Sequence, residues 1–143
     1  MKLKDIMTRE TTVIRPDATI AEAAAIMKKQ DIGSLPVCDG RRVLGVVTDR
    51  DLTIRATADG RDPNTTRVRD VMTAEVVTGV EDDDVKDAAT MMQQHQIRRL
   101  LVLDRDKQLV GIVSLGDLAT EAGDDKLAGQ TLEEISEPAT SSR

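Results

Sequence analysis

The sequence contains itself twice, and that duplication limits the folds open to it. Asp5-Ile6-Met7-Thr8 returns as Asp70-Val71-Met72-Thr73, an offset of 65 (70 − 5). The same offset pairs Thr19 with Asp84, Met27 with Met92, Ile32 with Ile97, Leu35 with Leu100 and Val37 with Val102. Between Gly45-Val46-Val47-Thr48-Asp49-Arg50-Asp51-Leu52 and Gly111-Ile112-Val113-Ser114-Leu115-Gly116-Asp117-Leu118 the offset is 66 (111 − 45). One residue has therefore been added between Val102 and Gly111. An insertion confined to a turn is what a structural repeat tolerates.

Hydrophobic period and turn chemistry fill in each copy. Residues 11–14 read as a short strand, followed by Pro16-Asp17. Thr19-Ile20-Ala21-Glu22 is a capping box that opens a helix. Ile20, Ala23, Ala24 and Met27 lie on one helical face, Lys28 and Lys29 suit its negative end, and Gly33 lies just past its close. Strands are expected at 35–38 and 43–47, joined at Asp39-Gly40. A second helix should run from Thr48 to about Ala58. The second copy predicts a strand at 76–78, a helix from Asp84 to about Gln94, strands at 99–103 and 108–113, and a helix from Ser114. Each copy is β-α-β-β-α, with a right-handed crossover between parallel strands. The fold class is α/β (α+β), two such repeats packed about a pseudo-twofold axis. Residues 1–62 form the first repeat with its linker at 59–66, 63–122 the second, and 123–143 a polar tail. Within the tail, 131–135 suits one helical turn and 138–143 suits disorder. A three-stranded sheet leaves an apolar face that one copy cannot cover, so neither half should be stable alone.

Charge and composition exclude several functions. A net charge of −6 and a pI of about 4.8 argue against a nucleic-acid polymer as partner. The 143 residues include no Phe, Trp or Tyr, so a bound base would be held by aliphatic side chains. The single cysteine, Cys38, fits a reducing compartment. No apolar run reaches the roughly 18 residues of a membrane span, and the first residues lack the apolar stretch of a signal peptide. The expected setting is the cytoplasm.

The pairs Thr48-x-x-Asp51 and Ser114-x-x-Asp117 stand where a buried β-branched strand turns into a helix. Their spacing is that of a helix cap, and a ligand role is the alternative. The two roles can coexist at the hydroxyl, whereas the carboxylate would have to turn outward to take a ligand. Asp49 would oppose a triphosphate beside the first turn; Leu115 at the second carries no such charge. Arg98 and Arg99 alternate across a strand, so one of them either meets a phosphate or sits at a solvated strand start. Met91 and Met92 read as core. His95 reads as exposed at a helix end, Cys38 as a small buried residue, and the acids at 81–84 as a helix N-terminal charge cluster. No nucleophile–base pair, glycine-rich phosphate loop or paired metal ligands can be found in the sequence. An enzyme is not expected, and no cofactor is required.

These repeated motifs carry a resemblance. Asp-(Ile/Val)-Met-Thr, Ile32-x-x-Leu35-Pro36-Val37 (with Leu101 for the proline in the second copy) and Gly-x-x-(Thr/Ser)-x-x-Asp occur in order and twice, over about residues 3–120. The chain resembles a tandem pair of cystathionine β-synthase (CBS) domains, a Bateman module, of the stand-alone bacterial kind. The resemblance implies an adenosine ligand (AMP, ADP, ATP or S-adenosylmethionine) in a cleft between the copies. It implies that Asp51 and Asp117 bind ribose hydroxyls and that Thr48 and Ser114 contact phosphate. Ser114 and Asp117 would then work with Thr12, Val13, Ile32 and Ser34. Thr48 and Asp51 would work with Val77, Thr78, Ile97 and Arg98. It further implies a disc-like homodimer, and a switch in which the ligand changes how the copies pack. The downstream partner is not legible in the sequence. The alternative function is a ligand-free structural or protein-interaction module.

Overall fold

The computed structural model describes residues 1–120 and Ile135. In chain order its elements are α1 (Leu3–Ile6), α2 (Ile20–Gln30), β1 (Ser34–Asp39), β2 (Arg42–Thr48), α3 (Asp49–Asp51), β3 (Thr78–Val80), α4 (Val85–His95), β4 (Arg99–Leu103), β5 (Leu109–Ser114) and α5 (Leu115–Thr120). A π-helical stretch, Leu52–Thr57, continues α3, and a 3-10 turn covers Val68–Asp70. The late copy shows the full β-α-β-β-α order, the early copy lacks its first strand, and the class is mixed α/β.

The two long helices start where the spacing predicts. Thr19 Oγ1 accepts from Glu22 N at 3.2 Å while the Glu22 carboxylate accepts from Thr19 N at 3.1 Å. Asp84 caps α4 by accepting from Lys86 N at 2.9 Å. Both helices close on a non-glycine residue in the left-handed region, Asp31 at φ 54 and Gln96 at φ 51. Ile32 N and Ile97 N then donate to Met27 O and Met92 O at 3.0 and 3.1 Å. The helix thus ends before Gly33, and that glycine is left for another purpose.

The chain forms two compact units whose limits differ from those of the repeats. Residues Thr12–Val76 make an early unit; Met1–Thr11 and the chain from Val77 make a late unit. In the late unit β3 runs parallel to β4, and β4 pairs antiparallel with β5. In the early unit β1 pairs antiparallel with β2, but the expected first strand is reduced to one parallel bridge, Ile14 to Val37. The reason is chemical. Glu81 N donates to Leu103 O at 2.9 Å and extends the late ladder. Its counterpart is Pro16, which has no N–H. The predicted strand at 76–78 also lies two residues early, since β3 starts at Thr78. The added residue sits in the β4–β5 turn, where Lys107 adopts φ 62.

The units differ from the repeats because each copy's opening arm docks in the other unit. Leu3 N and Lys4 N donate to Asp83 O and Glu81 O at 2.9 and 3.0 Å, and Val85 N donates to Met1 O at 3.0 Å. At the matching places Val68 N and Arg69 N donate to Ala18 O and Pro16 O at 2.8 and 3.0 Å, and Ile20 N donates to Thr66 O at 3.0 Å. The Asp-(Ile/Val)-Met-Thr motif is this arm. Asp5 and Asp70 cap its turn by accepting from Lys2 N and Arg67 N at 2.9 and 3.3 Å. Ile6, Met7 and Val71 enter the cores. Thr8 exchanges backbone hydrogen bonds with Ile112, and Thr73 with Val46. The approach is close enough to require the repeated glycine. A Cβ on Gly45 would stand 2.5 Å from Thr73 O, and one on Gly111 would stand 2.6 Å from Met7 Sδ.

Each unit has its own aliphatic core. Leu35, Val37, Val47, Val68 and Val71 are central to the early one, and Leu3, Met92, Leu100, Val102, Val113 and Leu118 to the late one. Ile135 is helical and packs on the late core. The remaining expectations for 123–143 lie outside the described residues.

Candidate functional site

Both strand-to-helix turns are closed in the same way. Thr48 Oγ1 accepts from Asp51 N at 3.0 Å, and Asp51 Oδ2 accepts from Thr48 N at 2.9 Å. Ser114 Oγ accepts from Asp117 N at 3.1 Å, and Asp117 Oδ2 accepts from Ser114 N at 2.7 Å. Capping is therefore satisfied at both. Each cap uses one carboxylate oxygen and leaves the other outside the cap. Asp51 Oδ1 lies 3.8 Å from Arg55 Nε. Among the described residues Asp117 Oδ1 has no hydrogen-bond or ion-pair partner.

Other expected site residues gather around these turns within each unit. Ser34 faces Thr48 across the β1–β2 ladder, and Asp49 N donates to Gly33 O at 2.9 Å. Arg99 faces Ser114 across the β4–β5 ladder, and Leu115 N donates to Arg98 O at 2.9 Å. Ile32 and Ile97, both half-buried, immediately precede these segments. Thr12 is engaged by its own unit, since its Oγ1 donates to Gln30 Oε1 at 2.7 Å. Val13 is exposed, while Val77 and Thr78 are half-buried at the start of β3. Thr12, Val13, Ile32, Ser34, Thr48 and Asp51 belong to the early unit. Val77, Thr78, Ile97, Arg98, Ser114 and Asp117 belong to the late unit.

Arg55 was not singled out by any motif. Its Nη1 donates to Val71 O and Met72 O at 3.2 and 3.1 Å while its Nε faces Asp51. It therefore ties the Asp51 carboxylate to the docked arm. Its position four residues after Asp51 on a helix is the signal that could have found it. A shallow cavity of about 490 Å³ lies along the same helix, lined by Asp49, Arg50, Thr53 and Ile54. Among the described residues Ile54 is one of the few large apolar side chains left exposed.

The remaining candidates have plain surroundings. Cys38 is buried, which pushes its thiol pKa up and leaves it a poor nucleophile. His95 ends α4 and is exposed. Among the described residues no three His, Cys, Asp or Glu side chains gather as a metal site, and no helix is long and apolar enough to cross a membrane.

Comparison with known proteins agrees with this architecture. The CBS domain family matches residues 3–56 and 68–124. The CBS domain-containing protein YhcV of Bacillus subtilis is 44% identical over 94% of this chain and 94% of its own. Hypoxic response protein 1 of Mycobacterium tuberculosis is 35% identical over 81% of each chain. A crystal structure of Hypoxic Response Protein I with two coordinated zinc ions matches with a TM-score of 0.77 at 34% identity, covering 85% of this chain and 98% of that one. The CBS domain pair of protein MJ0100, crystallised with 5′-methylthioadenosine and S-adenosyl-L-methionine, matches with a TM-score of 0.72 at 29% identity, covering 87% and 98%.

Proposed function

This chain belongs to the CBS domain family, and on that premise we propose that it is a non-enzymatic sensor of adenosine-containing ligands. It acts in this reading as a cytoplasmic homodimer, and its binding centres on the Ser114–Asp117 turn. The observation that carries the reading is the division of labour within Asp117. One oxygen holds the Ser114 cap at 2.7 Å, and the other has no partner among the described residues. A carboxylate oxygen in that state accepts from a ribose hydroxyl without dismantling the helix start. The relative crystallised with two adenosine derivatives supports the same ligand class. Thr48 and Asp51 form a second turn of the same kind, in which Arg55 shares the carboxylate.

Calorimetric titration with AMP, ADP, ATP and S-adenosylmethionine tests the reading. At least one should bind, and Asp117→Ala should weaken it ten- to hundredfold by removing a charge-assisted contact of roughly 1.5–3 kcal/mol. The variant also loses a cap of about 1 kcal/mol, so its melting temperature is measured beside its affinity. Failure of all four ligands at millimolar concentration gives the case to a ligand-free interaction module.

A further inference from the structure

Arg55 occupies the approach to Asp51. Asp51 Oδ2 is taken by the cap, accepting from Thr48 N at 2.9 Å, so a ligand hydroxyl has Oδ1 left to donate to. Arg55 Nε already faces that oxygen at 3.8 Å. A hydroxyl bridging the two would hold them about 4.5 Å apart or more, at ordinary hydrogen-bond distances and angles. The Asp51 side chain is only 12% exposed, so little room remains on its other sides. The same guanidinium holds the second arm, because its Nη1 donates to Val71 O and Met72 O at 3.2 and 3.1 Å. Nε and Nη1 lie in one rigid plane, so Nε cannot withdraw from Asp51 while Nη1 keeps both carbonyls. The Arg55 side chain is half-exposed and has water to move into. All four residues lie in the early unit. At the Ser114 turn Asp117 is half-buried, its Oδ1 has no partner among the described residues, and the repeat puts Glu121 at the position of Arg55.

We propose that Arg55 is an autoinhibitory latch on the Thr48 turn, through which a ribose at Asp51 and the docked second arm oppose each other. This rests on the adenosine reading above and adds to it the regulation of one turn. With the latch closed, the arm is held and the Thr48 turn binds weakly. A ribose hydroxyl that takes Asp51 Oδ1 frees the guanidinium, and the carbonyls of Val71 and Met72 lose their donor. The Ser114 turn has no such latch among the described residues, so its occupancy leaves the first arm as it was. Coupling of this kind is reciprocal: ligand and arm weaken each other by the same factor. For a half-exposed ion pair that factor is about two- to fivefold.

The test titrates the intact chain with adenosine and reads each turn through its own amides, Thr48 and Asp49 for one, Ser114 and Leu115 for the other. Adenosine carries the ribose diol without a phosphate, so no guanidinium–phosphate contact enters. Arg55→Met should bind it about two- to fivefold more tightly at the Thr48 turn and equally at the Ser114 turn. Arg55→Lys keeps the charge but cannot span the carboxylate and both carbonyls, and should lie between. A residue that only held the fold would weaken binding when removed. 2′,3′-Dideoxyadenosine, which lacks the diol, should gain nothing from either change. In the parent, saturating adenosine should quicken hydrogen exchange at the Thr73 amide, which donates to Val46 O at 2.9 Å, and leave Thr8 and Ile112 unchanged. In Arg55→Met it should have no further effect on Thr73. If adenosine binds but neither variant tightens the Thr48 turn, or if Thr73 exchange in the parent does not respond, the latch is overturned and the adenosine reading stands. If adenosine fails at millimolar concentration while AMP, ADP, ATP or S-adenosylmethionine binds, the ribose is not the anchor and the latch is again overturned. If all five fail, the adenosine reading falls with it.

Discussion

At Thr48 the hydroxyl–carboxylate cap is followed by Asp49 and Arg50, and one helical turn later by Arg55, which bonds the arm carbonyls of Val71 and Met72. At Ser114 the same cap is followed by Leu115 and Gly116, and the sequence places Glu121 where Arg55 would be. What the two regions share is what the fold needs: the glycine under the arm, the β-branched pair, the cap, and the threonine that pairs across. Where they differ, the described residues Asp49, Arg50, Arg55, Leu115 and Gly116 are exposed or half-buried. Duplication has kept the mechanics and let the chemistry of the two turns diverge.

The strongest way to break this comparison is to cut the chain in two places and compare the pieces. A fragment of residues 1–62 follows the sequence repeat but loses Val68 and Val71, both fully buried in the early core. It also leaves Leu3, Ile6 and Met7 with no core to enter. A fragment of residues 12–76 follows the compact unit and keeps its arm. Burial of the two valines alone is worth about 3–6 kcal/mol at the usual value per side chain. The 1–62 piece should therefore show no cooperative urea transition by circular dichroism, and the 12–76 piece should retain the more protected core. Equal behaviour of the two pieces would refute the exchange of arms.

Adding a methyl group at the paired glycines should separate the two regions next. At Gly45 the new Cβ meets a backbone oxygen, Thr73 O, at 2.5 Å; at Gly111 it first meets the thioether of Met7 at 2.6 Å, with Thr8 O at 2.9 Å. A flexible methionine can move aside, and a paired backbone cannot. Gly45→Ala should cost about 2–3 kcal/mol and Gly111→Ala about 1–2 kcal/mol, the range for overpacking. Melting temperatures in the reverse order would contradict this account.

Arg55→Met sharpens the difference between the turns themselves. It leaves the Thr48–Asp51 cap intact and removes two hydrogen bonds to arm carbonyls, worth about 1 kcal/mol in total for a half-exposed donor. Hydrogen exchange should quicken at the Val46 and Thr73 amides and stay unchanged at Thr8 and Ile112. Uniform quickening would mean that Arg55 acts on global stability rather than on the arm.

The smallest effect concerns Asp82 and its repeat counterpart Asp17. A hydrogen bond from Lys4, together with the charges of Lys4, Lys2 and Arg105, holds the Asp82 carboxyl below its ordinary value of 3.8. At Asp17 the hydrogen bond from Arg15 acts in the same direction. For a lowered carboxyl the native state favours the ionised form, so the contribution is present above the ordinary value. It is lost as pH falls through the lowered one. Both groups are on the surface, and such pairs contribute little. Asp82→Asn should lower the melting temperature slightly at pH 7 and low salt, with the gap to the parent closing in acid. The gap should also close in high salt. Because two of the three Asp82 cations, Lys2 and Lys4, lie on the docked arm, Asp82→Asn should exceed Asp17→Asn. The reverse order would mean that these ion pairs do not hold the arm.

The sequence by itself determined everything that is local or periodic. Duplicated spacing located the repeats, and hydroxyl-x-x-acid signals placed the caps at Thr19, Thr48 and Ser114. Asp-Gly placed the first hairpin, and short apolar runs placed β1, β2, β4 and β5. Each of these depends on neighbours within a few positions, so the residues nearby carry the answer. Tertiary structure alone decided which unit each arm joins, because Leu3 and Val68 are equally apolar and either core could hold either arm. It decided why Gly45 and Gly111 must be glycines, since the atoms that exclude a Cβ belong to Thr73, Met7 and Thr8, remote in sequence. The juxtaposition of Gly33 with Asp49 and of Arg98 with Leu115 was hidden for the same reason. A backbone hydrogen bond across the strand start brings those pairs together, and no spacing rule records it.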